Sequence, residues 1–121
     1  MGASFSQSAR TEAALAILDI DVFWAGVFSD ISLHDLNYYD LFTKMWLKRE
    51  LALTKTELYE FMPEISRRTA VKYVQRAIDL GMIMEHESSA DRRVRLVGLT
   101  PDCRERVERF LDFTCKRFNA R

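Results

Sequence analysis

The chain is poor in the residues that build covalent or metal-centred chemistry. Two cysteines in 121 residues make no disulfide framework. Cys103 and Cys115 stand twelve apart on one expected helix, too far along its axis to bridge each other. Both are expected as free thiols in a reducing cytoplasm. The two histidines, His34 and His86, have no cysteine or carboxylate at metal-ligand spacing around them, so neither a metal nor any other cofactor is expected. The four glycines form no phosphate-cradling loop, and no nucleophile elbow or triad spacing occurs, so the chain does not read as an enzyme. No uncharged apolar run approaches the roughly 20 residues of a bilayer span. No N-terminal segment joins a basic start, an apolar run and a small-residue cleavage site. The expected location is the cytoplasm, with no membrane partner.

Net charge is absent too, with 18 basic residues against 18 acidic ones. The zero conceals a division. Residues 1–43 hold one basic side chain, Arg10, and six acidic ones, whereas residues 44–121 hold seventeen basic and twelve acidic. Such asymmetry is what a chain shows when one half meets a polyanion and the other does not. Nearly half of the residues are apolar, enough for one ordered domain with a modest core.

What is present is periodicity. Residues 1–9 are small and polar and read as a frayed tip, with Met-Gly-Ala-Ser-Phe-Ser only a weak match to an acylation signal. From Thr11 to Ile31, Leu15, Leu18, Val22, Val27, Phe28 and Ile31 recur at helical spacing, widened by Phe23 and Trp24. Gly26 in that run suggests close approach of another helix. So much apolar surface exceeds what a small core needs, and a partner subunit would bury the rest. Ser32 or Asp35 is the cap of a second helix to about Leu51, apolar round most of its circumference and therefore central. Its aromatics Tyr38, Tyr39 and Trp46, with Trp24, read as core rather than as a ligand pocket. Thr54 and Glu57 make a capping box for a short helix with Leu58, Phe61 and Met62 inward, ended by Pro63. Ser66 caps the next helix, 66–80, whose buried face is Ala70, Tyr73, Val74 and Ala77. Gly81 closes it. Met82 to Met84 is a strand, Glu87 to Arg93 a polar tip, and Val94 to Leu99 the returning strand. Thr100 and Pro101 open a last helix with the stripe Cys103, Val107, Phe110, Leu111, Thr114 and Phe118. Cys103 near that helix start would favour a thiolate, but its place in the stripe reads as a small buried side chain.

The short helix, the turn at Pro63 and the helix 66–80 form a helix-turn-helix pattern, in which the second helix enters the DNA major groove. The chemistry asks for donors on its exposed face. Ser66, Arg67, Arg68, Thr69, Lys72, Gln75 and Arg76 supply them, and Val71 can meet a thymine methyl. Beyond it, a hairpin tipped by Arg92 and Arg93 suits the flanking minor groove. The fold class expected is mainly α (α+β), a winged helix-turn-helix.

Residues 53–110 resemble the MarR family of transcriptional regulators. The resemblance is carried by Leu53-Thr54 and Glu57-Leu58, by Ser66-Arg67-Arg68-Thr69, by Leu80-Gly81-Met82-Ile83, and above all by the wing, Asp91-Arg92-Arg93-Val94-Arg95-Leu96-Val97-Gly98-Leu99-Thr100. It implies a homodimer on a pseudo-palindromic operator of double-stranded DNA, with a small-molecule effector as a further partner. It also implies that Asp91 supports the wing and that Arg93 makes the minor-groove contact. The whole chain, 1–121, then divides into N-terminal helices for core and dimerisation (11–52), a helix-turn-helix with wing (53–100) and a C-terminal dimerisation helix (101–121). The alternative from another class is a winged-helix protein-interaction module without DNA binding, which zero net charge and the acidic Glu85, Glu87 and Asp91 near the wing favour.

Overall fold

The computed structural model describes residues 4–119. Seven elements follow one another: α1 (Gln7–Val27), α2 (Leu36–Leu47), α3 (Lys55–Glu60), α4 (Arg67–Asp79), β1 (Ile83–Glu87), β2 (Arg95–Leu99) and α5 (Pro101–Asn119). The architecture is mainly α with a two-stranded antiparallel sheet, a winged helix-turn-helix.

Most helix starts are chemically marked. Asp35, rather than Ser32, caps α2, its Oδ1 accepting the N–H groups of Asn37 and Tyr38, each at 3.0 Å. Thr54 and Glu57 form the reciprocal capping box of α3. The Ser66 hydroxyl accepts the Thr69 N–H at 3.2 Å at the start of α4. Each such cap contributes about 1 kcal/mol. Gly81 leaves α4 at φ 77°, a left-handed conformation that favours glycine. Thr100 Oγ1 accepts the Cys103 N–H and donates to the Gly81 carbonyl at 2.7 Å, joining the end of α4 to the start of α5.

Several sequence expectations need correction. The fraying expected of residues 1–9 stops short of Gln7, because the Ser6 hydroxyl caps α1 by accepting from Ala9 N at 3.0 Å; residues 1–3 of that tip lie outside the described residues. The first helix ends at Val27 instead of Ile31, and the second at Leu47 instead of Leu51, each running into turns. Gly26 is exposed, with nothing within 4 Å of where a Cβ would stand, so no helix among the described residues approaches it. Finally, the apolar stripe of α1 is divided. Ala16, Ile20 and Trp24, four apart, are buried, while Leu15, Leu18 and Val22 are exposed.

The core lies where α1, α2 and α5 meet under the helix-turn-helix. Trp24 packs against Phe28 at 4.8 Å and Phe110 at 5.1 Å between ring centres, and Phe28 against Phe42 at 5.2 Å. Burying each such side chain stabilises by roughly 1.5–3 kcal/mol. Toward the chain ends Phe23 stacks on Phe113 at 4.3 Å. Arg106 of α5 closes the other end, donating to both Asp30 carboxylate oxygens (2.7 and 2.9 Å), to the Val27 carbonyl and to Asp102. Phe118, expected in the α5 stripe, is exposed, whereas Cys103, Val107 and Phe110 are buried.

The hairpin pairs Ile83 with Leu99 through Glu87 with Arg95. Strand β1 takes in Glu87, so the tip is Ser88 to Val94, one residue later than expected. Leu53 bridges to Val97 on the far side of β2, its carbonyl accepting the Val97 N–H at 2.8 Å.

Candidate nucleic-acid interface

Helix α4 separates its residues by chemistry. Ala70, Val74 and Ala77 are buried, and Tyr73, expected with them, is half-buried at the margin. On the opposite side Arg67, Arg68, Val71, Lys72, Gln75 and Arg76 are all exposed, at positions that a 3.6-residue period gathers on one face. Among the described residues, none of Arg67, Arg68, Lys72 and Arg76 takes part in an ion pair. Arg67 lies over the Tyr59 ring at 5.3 Å, which orients it without neutralising it. Three expected contact residues are engaged within α4 and its cap. Gln75 donates to Asp79 Oδ1 at 2.9 Å, and Ser66 and Thr69 share a hydroxyl hydrogen bond at 3.1 Å.

The wing tip is organised by Asp91. Its Oδ1 accepts the Arg93 backbone N–H at 3.0 Å and Nε at 3.2 Å, and its main-chain carbonyl accepts from Val94 N at 3.0 Å. The Arg93 side chain, then its backbone N–H, hold the Asp91 carboxyl below the usual carboxylate range. Arg93 is thus paired, yet its side chain is 91% exposed. Such a pair is heavily screened and open to exchange with a competing anion. Arg92 and Arg95 are exposed and form no ion pair among the described residues. Arg95 escaped sequence reasoning; the alternation of β2 was the signal available for it. Lys55 Nζ meets Glu85 at 2.7 Å and ties α3 to the wing.

Behind these faces, α2 holds both helices of the motif by side-chain hydrogen bonds that no sequence spacing announces. Lys44 Nζ donates to the Phe61 carbonyl at the end of α3 at 2.9 Å. Tyr73 Oη of α4 donates to Asp35 Oδ2 at 2.6 Å, and Tyr38 Oη donates to the Tyr73 carbonyl at 3.0 Å. The Asp35 bond is the main reason the Tyr73 phenol is held above its ordinary range, and burial raises that of Tyr38.

The remaining candidates divide plainly. Burial, and then the neighbouring Asp102, push the Cys103 thiol up, and Cys115 is exposed. Trp24 and Tyr38 are buried in the core, and half-buried Trp46 donates Nε1 to Glu108 at 2.9 Å. Among the described residues no group of three or more His, Cys, Asp or Glu side chains is arranged to hold a metal ion. No helix among them is long and apolar enough to cross a membrane.

No protein-family model matches the chain, and no curated protein is similar enough to serve as a relative. Solved structures do match in fold. The chain is similar to S. aureus MepR bound to an oligodeoxyribonucleotide, with 14% identity over 96% of this chain and 81% of that one, at a TM-score of 0.69. It is similar to E. coli MarR complexed with operator DNA, with 13% identity over 88% and 74% and a TM-score of 0.58. It is also similar to Bordetella bronchiseptica BpsR, whose DNA binding is regulated by 6-hydroxynicotinic acid, with 21% identity over 99% and 83% and a TM-score of 0.52. The chain has the fold of the MarR-type winged-helix regulators.

Proposed function

We propose that the chain is a cytoplasmic DNA-binding transcriptional regulator that grips a pseudo-palindromic operator as a homodimer. The observation that carries this reading is the face of α4. Four cations without an acidic partner among the described residues stand on one side of a helix whose other side is core, beside a wing tipped by Arg92 and Arg93. In this reading α4 lies in the major groove. Arg67 and Arg68, nearest its N-terminus, reach base edges, and Lys72 and Arg76 anchor phosphates. Ser66 and Thr69 present the helix N-terminus to a phosphate, Val71 offers an apolar contact, and Gln75 must leave Asp79 to reach a base. Asp91 shapes the wing, which enters the minor groove, and Arg93 exchanges its carboxylate for the groove.

Exposed Leu15, Leu18 and Val22 on α1 and Phe118 on α5 support the assignment of the terminal helices to dimerisation. The MepR and MarR structures are of DNA complexes, which supports the partner class. BpsR supports a small-molecule effector in the same way.

The test is equilibrium binding to DNA selected from a random library. Affinity should fall linearly on logarithmic axes with salt, with a slope set by the several phosphates neutralised per subunit. Failure to bind any duplex at low salt overturns the reading. A second reading, an interaction module without DNA binding, is favoured by one observation: Asp91 neutralises Arg93 at the wing tip. It predicts that Arg93→Ala leaves every binding activity unchanged.

A further inference from the structure

We infer that Asp35 and Tyr73 form a positioning pair that fixes the setting of α4, so that discrimination between DNA sequences depends on a hydrogen bond made to the N-terminal half of the chain. The inference rests on the reading of α4 as the DNA-reading helix.

Small apolar residues, Ala70, Val74 and Ala77, hold the buried side of α4. Contacts of that kind are non-directional and resist rotation or sliding weakly. Directional restraint comes from Tyr73. Among the described residues, every side-chain hydrogen bond that reaches α4 from another helix or its cap ends on this one residue: Asp35 at 2.6 Å, Asn37 at 3.4 Å and Tyr38 at 3.0 Å. The Tyr38 and Tyr73 rings lie 4.7 Å apart, so the bonds have a packed backing. Tyr73 sits at the half-buried margin of α4, between Lys72 and Arg76 in the chain and so midway along the length of the cationic face. A pin there sets the angle at which both turns of that face meet a groove.

Asp35 is itself held firmly. Its Oδ1 caps α2 and its Oδ2 takes the tyrosine, so one carboxylate serves two elements. The residues just before it are fixed as well. Leu33 is fully buried, Trp24 Nε1 donates to the His34 carbonyl at 3.0 Å, and Ser32 is held at φ 58°, which a serine adopts only when its surroundings impose it. The anchor of the reading helix therefore lies in the acidic, aromatic half of the chain, which carries few basic residues of its own.

Phosphate contacts by long, flexible Lys and Arg side chains tolerate a loosened helix; hydrogen bonds to base edges do not. The experiment uses the full chain with Tyr73→Phe, which removes only the hydroxyl, and Asp35→Ser, which keeps a capping oxygen for α2 but cannot reach the tyrosine. The double variant completes the set. Binding is measured to the selected duplex and to a scrambled duplex across the same series of salt concentrations, and hydrogen exchange is followed in the free protein. Each single variant should lower the ratio of selected to scrambled affinity about tenfold. The double variant should match the singles, and scrambled affinity with its salt slope should stay constant. Amides of α4 near Tyr73 should exchange faster in both single variants while those of α5 keep wild-type protection. Unchanged ratios, or single effects that multiply in the double variant, overturn the inference. A wild-type chain that discriminates no DNA overturns the DNA reading instead. In that case equal α4 protection in wild type and variants separately overturns the pin.

Discussion

Helices α1 and α4 each bury three residues but distribute their apolar side chains differently. Helix α4 keeps alanines and Val74 inside and puts its cations outside, so one glance at its periodicity yields both faces. Helix α1 is apolar on two sides. Ala16, Ile20 and Trp24 serve this chain's own core, while Leu15, Leu18 and Val22 are left to water. The difference teaches that a sequence stripe identifies the inner face only where the outer face is polar. When both are apolar, periodicity reports two surfaces at once, and only packing tells which belongs to the protomer.

The sharpest way to test that contrast is to truncate one residue from each side of α1. Trp24→Ala should cost about 3–5 kcal/mol in urea denaturation, because the ring touches Phe28, Tyr39 and Phe110. Leu18→Ala should change the stability of the dilute protomer by less than about 0.5 kcal/mol. A large loss at Leu18 in the isolated protomer would erase the distinction. Leu18→Glu should instead raise the dissociation constant of the proposed homodimer in sedimentation equilibrium.

On α4 the corresponding cut is Arg68→Ala. Discrimination at one base position should fall by about 1–3 kcal/mol in competition binding, with the thermal midpoint unmoved. A lowered midpoint would mean that the exposed face has a structural task.

The end of α1 offers a pH test. Arg106 holds the Asp30 carboxyl below its ordinary value of 3.8, chiefly by their side-chain hydrogen bonds. A depressed carboxyl stabilises the folded state fully above its unfolded value, and the contribution disappears as pH falls through the folded one. Asp30→Asn should therefore melt below wild type at neutral pH, and the two curves should converge under strongly acidic conditions. A gap that persists in acid would assign the loss to shape rather than charge.

The smallest effect is expected between the helices. Ser32→Gly removes a left-handed strain and adds some freedom to the unfolded chain, for a net gain of roughly 0.5–1 kcal/mol by calorimetry. A destabilised glycine variant would show that the Ser32 side chain contributes more than its backbone costs.

Local chemistry made much of this molecule legible in advance. The Thr54 and Ser66 caps, Gly81 at the end of α4, the Thr100-Pro101 start of α5 and the hairpin between them all follow from neighbours within a few residues, and the structure has them. So does the separation of α4 into an alanine side and a cationic side. Long-range partnerships left no such trace. Nothing near Asp35 in sequence hints at Tyr73, nothing near Lys44 hints at the Phe61 carbonyl, and Phe23 and Phe113 stack from opposite ends of the chain. The Cys103 thiol, read in sequence as a small buried side chain of the α5 stripe, is buried, and that burial pushes it up.

The bridge from Leu53 to Val97 has one more consequence. With Leu53 on one side of β2 and β1 on the other, β2 becomes the inner strand of the small sheet and β1 its open rim. An open rim invites a stranger's strand, and a wing that meets a groove, as proposed above, cannot be covered to prevent it. Strand β1 runs Ile-Met-Glu-His-Glu, buried only at Ile83 and charged toward the tip. Glu85 and Glu87 act as guards, keeping a necessarily naked edge from templating self-association.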